Sequence, residues 1–369
     1  MTFSVSESSS FDVPPRLISA DSHVNEPPEM FGERLPAALR PRAPRVETVG
    51  GVDCLVMEGM RPRKMPRGRE ALTGEALARA QAGGWEPSLR IRDQERDGVA
   101  GEVVFPTLAL QACFMAPDAE LQLALARAYN DWVAEVFTPH PDRFAVAGIV
   151  PMADVAGACR EAERVARLGL RSLFLPSRVL DRPYNDPAYD PFWAVAEASG
   201  LPLTFHAGTG HEPRVERGPG GAVINYLLGS QIDGAHVILY LTMAGVLERF
   251  PGLRVVTVET GSAWLGWVMT TMDEIYEKHA MWARPKLALR PSDYVRRQCH
   301  VTFQNDPVGV HNREFTGVEA LVWGSDYPHP EGTWPDSRAA LARQLAGVPA
   351  DEVALMVGGT AARLFGFDR

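Results

Sequence analysis

The sequence predicts an α/β fold, and more specifically a (β/α)8 TIM barrel with an insertion after the first strand. Three observations support this prediction. Short apolar runs rich in strand-forming residues recur along the chain, segments with helical periodicity separate them, and 369 residues suffice for one barrel that carries an insertion. A doubly wound open sheet is the alternative, because strands and helices alternate in the same way in both folds.

The eight expected strands are short, and several are nearly continuous in apolar residues, as is typical of parallel strands buried on both faces. They are expected at 16–21, 99–106, 144–150, 171–176, 202–206, 254–259, 299–304 and 320–325. The segment from Asp154 to Leu168 begins with an acidic N-cap residue and keeps apolar residues at helical spacing. Similar patterns predict helices at 187–199, 234–249, 261–279 and 336–345.

Residues 40–98 do not fit a simple first β/α unit. The stretch Val46–Met57 predicts a small hairpin around Gly50 and Gly51, and we interpret about 40–90 as an insertion over the mouth of the barrel. The polar, Ser-rich residues 1–15 predict a flexible N-terminus. Because no repeat or linker divides the remainder, we expect residues 16–369 to form one domain.

Composition and charge exclude several classes of function. A net charge of −9 argues against a nucleic-acid partner, since phosphate backbones require basic patches. No run of apolar residues is long enough to span a membrane, and no secretory signal precedes the first expected strand. The four scattered cysteines argue against a disulfide scaffold and a thiolate zinc site. These features predict a cytoplasmic enzyme or binding protein, with a small molecule as its expected partner.

Residues of metal-ligand type lie at four of the eight expected strand ends. Asp21 and His23 end the first strand, and because strand side chains alternate with period two, both point to the same face. His206, Glu259 and Asp326 end the fifth, sixth and eighth strands. Barrel enzymes place their active site at these ends. One such residue alone fits a polar loop entrance, but four strand ends together predict a metal centre.

Five motifs along the chain resemble one enzyme family when they are taken together. They are Asp21-Ser22-His23-Val24-Asn25-Glu26-Pro27, Arg92-Asp93-Gln94-Glu95-Arg96-Asp97-Gly98-Val99, Phe205-His206, Phe250-Pro251-Gly252-Leu253-Arg254 and Gly324-Ser325-Asp326-Tyr327-Pro328-His329. This set is similar to the amidohydrolase-related branch of the amidohydrolase superfamily, from about Leu17 to Phe367. The resemblance implies a (β/α)8 barrel with a divalent metal. Carried over by position, it implies four ligands: Asp21, His23, His206 and Asp326.

The position after the sixth strand departs from this branch. Many of its decarboxylases carry a histidine there, which acts as an acid or base, whereas this chain has Glu259. A carboxylate can act as a general base, or it can be a further ligand that bridges two metals. Carboxylate and imidazole ligands suit transition metals, so zinc is the first expectation, iron is the alternative, and manganese also fits.

The resemblance implies a metal-dependent hydrolase or lyase that acts on a small organic acid or carbonyl compound. Metal-activated water and metal-assisted decarboxylation are both open, with Asp326, Glu259 and His329 as the catalytic candidates. A non-haem iron oxygenase with one or two irons on the same barrel is the alternative. A binding protein with a vestigial site is a third and weaker reading.

Several polar residues remain as candidates near the expected site. His211 follows a Gly-rich turn, and Arg178 lies in the loop after the fourth strand, so both are candidates for substrate binding. His329 could carry a proton or could only hydrogen-bond Asp326. Glu26 could orient His23 or stay solvated. Members of this branch often form dimers, which makes a homodimer one expectation.

Overall fold

Eight parallel strands lie side by side in chain order, and the first and last of them meet, which makes the sheet a nearly closed barrel. The computed structural model describes residues 14, 16–27, 29–59, 62–64, 83–179, 181–210 and 216–368. Its barrel strands are β1 (Leu17–Val24), β5 (Val99–Pro106), β6 (Phe144–Ile149), β7 (Ser172–Leu175), β8 (Leu203–His206), β9 (Val255–Val258), β10 (Cys299–Phe303) and β11 (Leu321–Trp323). Every expected strand is present, with each end within three residues of its predicted position. The barrel prediction is confirmed, and the open-sheet alternative is wrong.

Helices connect the strands and pack around the barrel. In the described part of the chain they are α1 (Met30–Arg34), α2 (Pro87–Asp97), α3 (Leu108–Met115), α4 (Ala119–Phe137), α5 (Val155–Arg167), α6 (Asp190–Ser199), α7 (Gly221–Tyr226), α8 (Ile232–Met243), α9 (Val246–Arg249), α10 (Trp264–Lys278), α11 (Pro291–Gln298), α12 (Pro307–His311), α13 (Arg313–Thr316), α14 (Ser337–Gln344), α15 (Ala350–Ala354) and α16 (Thr360–Phe365). Short 3-10 segments lie at Arg40–Arg42, Pro187–Tyr189 and Val318–Ala320, and π-helical segments at Leu227–Gln231 and Leu355–Gly359. None of these described helices has the length and apolar character that crossing a membrane requires.

Local sequence accounts for the ends of several elements. The side chain of Asp154 accepts a hydrogen bond from the backbone N–H of Ala156, and this cap starts α5 where the acidic residue predicts it. Gly98 ends α2 in the left-handed conformation, which glycine adopts without steric cost. The strand β5 begins at the next residue, so this turn sets the helix directly against the barrel.

The segment after β1 contains a small antiparallel sheet. Its strands are β2 (Arg45–Val49), β3 (Val52–Val56) and β4 (Arg63–Lys64), paired in the order β2-β3-β4. Gly50 and Gly51 have positive φ angles and form the turn between β2 and β3, at the position of the predicted hairpin. This sheet falls inside the expected insertion. The expected flexible N-terminus, residues 1–15, lies almost entirely outside the described residues.

The barrel closes where β1 meets the residues that follow β11. The N–H of Asp326 donates to the carbonyl of Asp21 at 2.9 Å, and the N–H of His23 donates to the carbonyl of Tyr327 at 2.6 Å. We call this contact the seam. Gly324 lies against it, because a Cβ atom at this position would come within 2.4 Å of the Asp21 Cβ. The two chain segments can approach this closely only because residue 324 has no side chain.

Replacement of Gly324 tests this close approach. We expect Gly324→Ala to lower the free energy of unfolding by about 1–3 kcal/mol, because the added methyl group forces the seam apart. Denaturant unfolding measures the loss. Gly32→Ala is the control, since a Cβ at this position in α1 meets no atom within 4 Å. Equal stability of the two variants would contradict the steric argument.

Candidate metal centre

Strand β1 brings Asp21 and His23 into the barrel mouth on the same side. A bulge in its pairing with β5 separates Ser19 from Ser22, and bulges often adjust side-chain direction at active sites. His23 Nδ1 lies 2.9 Å from the carbonyl oxygen of Pro106. A carbonyl can only accept, so Nδ1 carries the proton and Nε2 is left with a lone pair. His23 is thus held as a metal ligand would be.

His206 at the end of β8 is held in the same way. Its Nδ1 lies 3.0 Å from the carbonyl oxygen of Ala207, which assigns the proton to Nδ1. Its Nε2 lies 3.0 Å from Nε2 of His23, and both rings are buried. Two nitrogen lone pairs at this distance repel each other unless a proton or a metal ion lies between them. This pair of nitrogens is the clearest sign of a cation site.

Glu259 and Asp326 enter the site from strained backbone positions. Their φ angles are +57° and +56°, the two positive values among the described non-glycine residues. Each follows the last residues of a barrel strand, β9 or β11, and the N–H of Glu259 donates to Thr302 Oγ1 at 2.9 Å. Left-handed conformations of side-chain-bearing residues cost free energy and concentrate at functional sites. The fold therefore accepts strain at two of the five predicted ligands.

The distances between neighbouring side chains of the site fit metal coordination. Asp21 Oδ1 lies 3.5 Å from His23 Nε2 and 3.4 Å from His206 Nε2. Asp326 Oδ1 lies 3.5 Å from His23 Nε2, and Glu259 Oε2 lies 3.5 Å from His206 Nε2. Atoms about 2.1 Å from one ion are roughly 3.0 Å apart at right angles and roughly 3.4 Å apart at tetrahedral angles. Each of these neighbouring pairs is therefore close enough to share an ion, although the five predicted ligands do not all lie within the same short distance of one another.

The carboxylates of the site also require a cation. Both oxygens of Asp21 and both oxygens of Asp326 are buried without a well-formed hydrogen bond, although Asp326 Oδ1 lies 2.9 Å from His329 Nδ1. Isolated buried carboxylates are costly unless they are paired or ligate a metal. Two overlapping groups of possible ligands occur here, Asp21–His23–His206 and His23–Glu259–Asp326–His329.

Burial and neighbouring charges drive the pKa values of these acids apart. Burial opposes the charge of Asp21, but the contacts of its carboxylate with His206 and His23 outweigh it and lower its pKa. Burial raises the pKa of Glu259 to about 8 and also raises that of Asp326. The site therefore combines a carboxylate whose charge the histidines favour with two acids whose charge burial opposes, an arrangement typical of functional sites.

His329 stacks on His23 with the ring centroids 4.1 Å apart. Its Nε2 lies 3.5 Å from Thr107 Oγ1, on the side opposite its contact with Asp326. A histidine between an acid and the cavity can carry a proton, and it can also simply orient the acid. Both roles of His329 therefore stay predictions.

Three of the five predicted ligands, His23, His206 and Glu259, line a cavity of about 380 Å³. His329 also lines it, as do Leu55 and Lys64 of the small antiparallel sheet. Its volume suits a small organic molecule. The segment after β1 thus contributes directly to the cavity.

Of the two residues predicted to bind substrate, the described one, Arg178, does not line this cavity. Arg178 lines a neighbouring cavity of about 390 Å³, where it lies 3.8 Å from the buried Asp233. His211 lies outside the described residues. Substrate contact by either residue therefore stays a prediction.

The structure assigns roles that the sequence did not indicate. Glu26 neither orients His23 nor stays solvated: its carboxylate is buried and accepts the N–H groups of Leu108 and Ala109 at the start of α3. The hydroxyl of Tyr226 donates to Glu259 Oε1 at 3.0 Å. The position of Glu26 shortly after the first strand could have suggested that it anchors the start of a helix. No local feature of the sequence points to the contact between Tyr226 and Glu259.

Similarity to known proteins agrees with this geometry. The profile of the family described as amidohydrolase matches residues 20–367. The chain belongs to the amidohydrolase family. It is 26% identical over 265 residues to 2-amino-3-carboxymuconate-6-semialdehyde decarboxylase of Dictyostelium discoideum. The matched region covers 67% of this chain and 68% of that protein. The chain is therefore an enzyme of the amidohydrolase superfamily.

Solved structures of other amidohydrolases share its fold. 5-Carboxyvanillate decarboxylase of Sphingomonas paucimobilis has a TM-score of 0.68 at 25% identity, over 96% of this chain and 99% of that one. Dihydroxybenzoic acid decarboxylase of Polaromonas sp. JS666 has a TM-score of 0.67 at 17% identity, over 95% and 97% of the two chains. That second structure contains manganese and the inhibitor 2-nitroresorcinol.

The buried Glu26 predicts a measurable pH dependence of stability. Burial raises its pKa from 4.5 to about 7. The folded protein therefore holds a proton that the unfolded chain has released, and this contribution to stability is lost as the pH rises from about 4.5 to 7. We expect the metal-free protein to lose up to about 3 kcal/mol across this range relative to Glu26→Gln.

Denaturant unfolding at several pH values in the presence of a chelator measures this difference. Other buried acids titrate in both proteins and cancel in the comparison. Parallel stability profiles of the wild type and Glu26→Gln would show that the two backbone N–H groups keep Glu26 ionised in the folded state.

Proposed function

We propose that this amidohydrolase is a metal-dependent decarboxylase of a small organic acid. The observation that carries the proposal is the facing pair of Nε2 atoms of His23 and His206 beside the buried carboxylates of Asp21 and Asp326. This donor set fits a divalent transition metal. The three relatives named above are decarboxylases, and one of them contains manganese.

Asp21, His23, His206 and Asp326 would hold the ion, and Glu259 is close enough to become a further ligand. When bound, a divalent ion would act as a Lewis acid that draws electron density from the substrate. Asp21 supplies ionised charge, and the bonds from the two Nδ1 atoms to backbone carbonyls keep the imidazoles in the ligand tautomer.

Decarboxylation breaks a carbon–carbon bond, releases carbon dioxide and leaves an electron pair on carbon, so the enzyme must deliver one proton to that carbon. Glu259 is placed for this task because it lines the cavity and its raised pKa keeps it protonated at neutral pH. His329 also lines the cavity, and its Nδ1 lies 2.9 Å from Asp326 Oδ1, which makes it the alternative proton donor. We propose that one of these two groups delivers the proton to the carbon.

The hydrolase and oxygenase alternatives have less support. The same ligand set could activate water, and a carboxylate-rich site also suits iron. None of the three relatives named above is an oxygenase, so the oxygenase alternative rests on the ligand types alone. The three reactions differ in products, which makes them separable by one experiment.

Metal removal and product analysis test the proposal. We expect the chelated protein to be inactive and added manganese or zinc to restore turnover of a carboxylic acid, with dihydroxybenzoate and 5-carboxyvanillate as first probes. Each turnover should release one carbon dioxide, proceed without oxygen, and incorporate one deuterium on carbon in deuterated water. Oxygen consumption, or water oxygen in the product without carbon dioxide release, would contradict decarboxylation.

Ligand variants provide the second arm of this test. We expect His206→Ala and Asp326→Asn to lose the bound metal and activity together, because each removes a donor from the site. His311→Ala is the control, since this histidine is exposed. If both ligand variants retain as much metal as the wild type after dialysis, the assigned centre is refuted.

Lys64 provides a prediction about substrate recognition. Among the described residues that line the site cavity, it is the one lysine or arginine. We expect it to pair with a carboxylate of the substrate, so Lys64→Met should raise KM about tenfold with little change in kcat, because a hydrogen bond to a charged group contributes about 1.5 kcal/mol. Lys64→Arg should keep most of the affinity. An unchanged KM in Lys64→Met would exclude this contact.

A further inference from the structure

Helix α2 buries a polar face instead of an apolar one. Arg90, Asp93, Gln94 and Asp97 follow the i, i+3, i+4, i+7 spacing of one helix face, and all four are buried. Three of them belong to the motif Arg92–Val99, and the proposed reaction assigns no role to this motif. Polar groups are buried at a cost unless they make hydrogen bonds. Their partners therefore show what this face does.

Arg90 contacts the first strand of the seam. Its Nη1 donates to the carbonyl oxygen of His23 at 2.5 Å, and its Nε donates to Glu102 Oε2 at 2.7 Å. Both Arg90 and Glu102 are almost completely excluded from solvent. The guanidinium group thus joins β5, which carries Glu102, to the backbone of a predicted metal ligand. Its planar fork is suited to making these two bonds at once.

The same helix also holds the other side of the seam. The guanidinium of Arg90 lies 4.8 Å from the centre of the Tyr327 ring, and the Tyr327 hydroxyl donates to Asp93 Oδ2 at 2.8 Å. The carbonyl of Tyr327, the residue after Asp326, accepts the N–H of His23. The backbone of His23 is therefore fixed on both sides, by Tyr327 at its N–H and by Arg90 at its carbonyl.

We propose that Arg90 is a positioning residue for the metal centre. It fixes the backbone from which the His23 imidazole reaches the cavity, and through Tyr327 it fixes the segment that carries Asp326. Ligand distances must be held within a few tenths of an ångström for a metal site, and groups behind the ligands provide this precision. The role rests on the proposed function, because it presumes that the site binds a metal.

A purely structural role for the Arg90–Glu102 ion pair predicts a different effect of replacing Arg90. Buried ion pairs add little net stability compared with apolar side chains of similar size. If Arg90 acts only on folding, its replacement changes the unfolding of the metal-free protein and leaves the geometry of the bound ion unchanged in molecules that remain folded. Metal affinity and the spectrum of a bound ion therefore separate the two roles.

The test uses Arg90→Lys, which keeps the charge beside Glu102 but cannot make both bonds of the fork. We expect the dissociation constant for cobalt(II) or zinc to rise about 10- to 100-fold, and the visible absorption bands of bound cobalt to change. Arg143→Lys is the matched control. Arg143 donates two hydrogen bonds to Gln94 on the same helix face. It directly precedes β6 and so lies at the amino-terminal end of a barrel strand, whereas the five predicted ligands lie at the carboxyl-terminal ends.

We expect Arg143→Lys to bind cobalt with the wild-type affinity and spectrum. Unchanged affinity and spectrum in folded Arg90→Lys, or equal changes in both variants, would overturn the positioning role. If circular dichroism shows that Arg90→Lys does not fold, Tyr327→Phe takes its place, since it removes only the hydroxyl that reaches Asp93. Lower cobalt affinity in Tyr327→Phe supports the role, and unchanged affinity overturns it.

The outcome for the wild type distinguishes the two proposals. A wild-type protein that binds neither cobalt nor zinc contradicts the proposed function and the positioning role with it. A wild type that binds the metal while Arg90→Lys binds equally well contradicts only the role of Arg90.

Discussion

The hydrogen bonds of the seam are the interaction on which the rest of the structure depends. They join Asp21 to Asp326 and His23 to Tyr327, so the residues that close the barrel are also candidate ligands or their direct neighbours. The contacts that close the sheet therefore also bring the two sides of the site together. A change that opens the seam disturbs both, which explains why Gly324 and the polar face of α2 are packed so closely against it.

The site is built at a cost in stability that the barrel must offset. Glu259 and Asp326 occupy left-handed backbone conformations, and the carboxylates of Asp21 and Asp326 are buried without good hydrogen bonds. The surrounding strands are almost fully buried, and their packing supplies the free energy that tolerates these defects. A divalent cation would remove much of the electrostatic part of the cost but none of the backbone strain.

The strands, and the positions of the five predicted ligands at or just after their carboxyl ends, could be predicted from the sequence because local rules determine both. Apolar runs identify buried strands, and residues such as Asp21 and His206 stand where those runs end. Arg90 and Glu26 could not be found in this way, because a charged residue in a helix or loop is solvated in most proteins. Only the approach of distant segments to them, such as Tyr327 to Arg90, shows that they are buried.

Glu259 changes the chemistry of the site less than its carboxyl group suggests. A histidine at this position could donate a proton near neutral pH, and burial raises the pKa of Glu259 to about 8, so Glu259 can donate one as well. The difference lies in charge, since a protonated glutamic acid is neutral and an imidazolium is positive. After donation Glu259 becomes an anion whose Oε2 lies 3.5 Å from His206 Nε2. The hydroxyl of Tyr226 donates a hydrogen bond to Glu259 and can stabilise that anion after the proposed proton transfer.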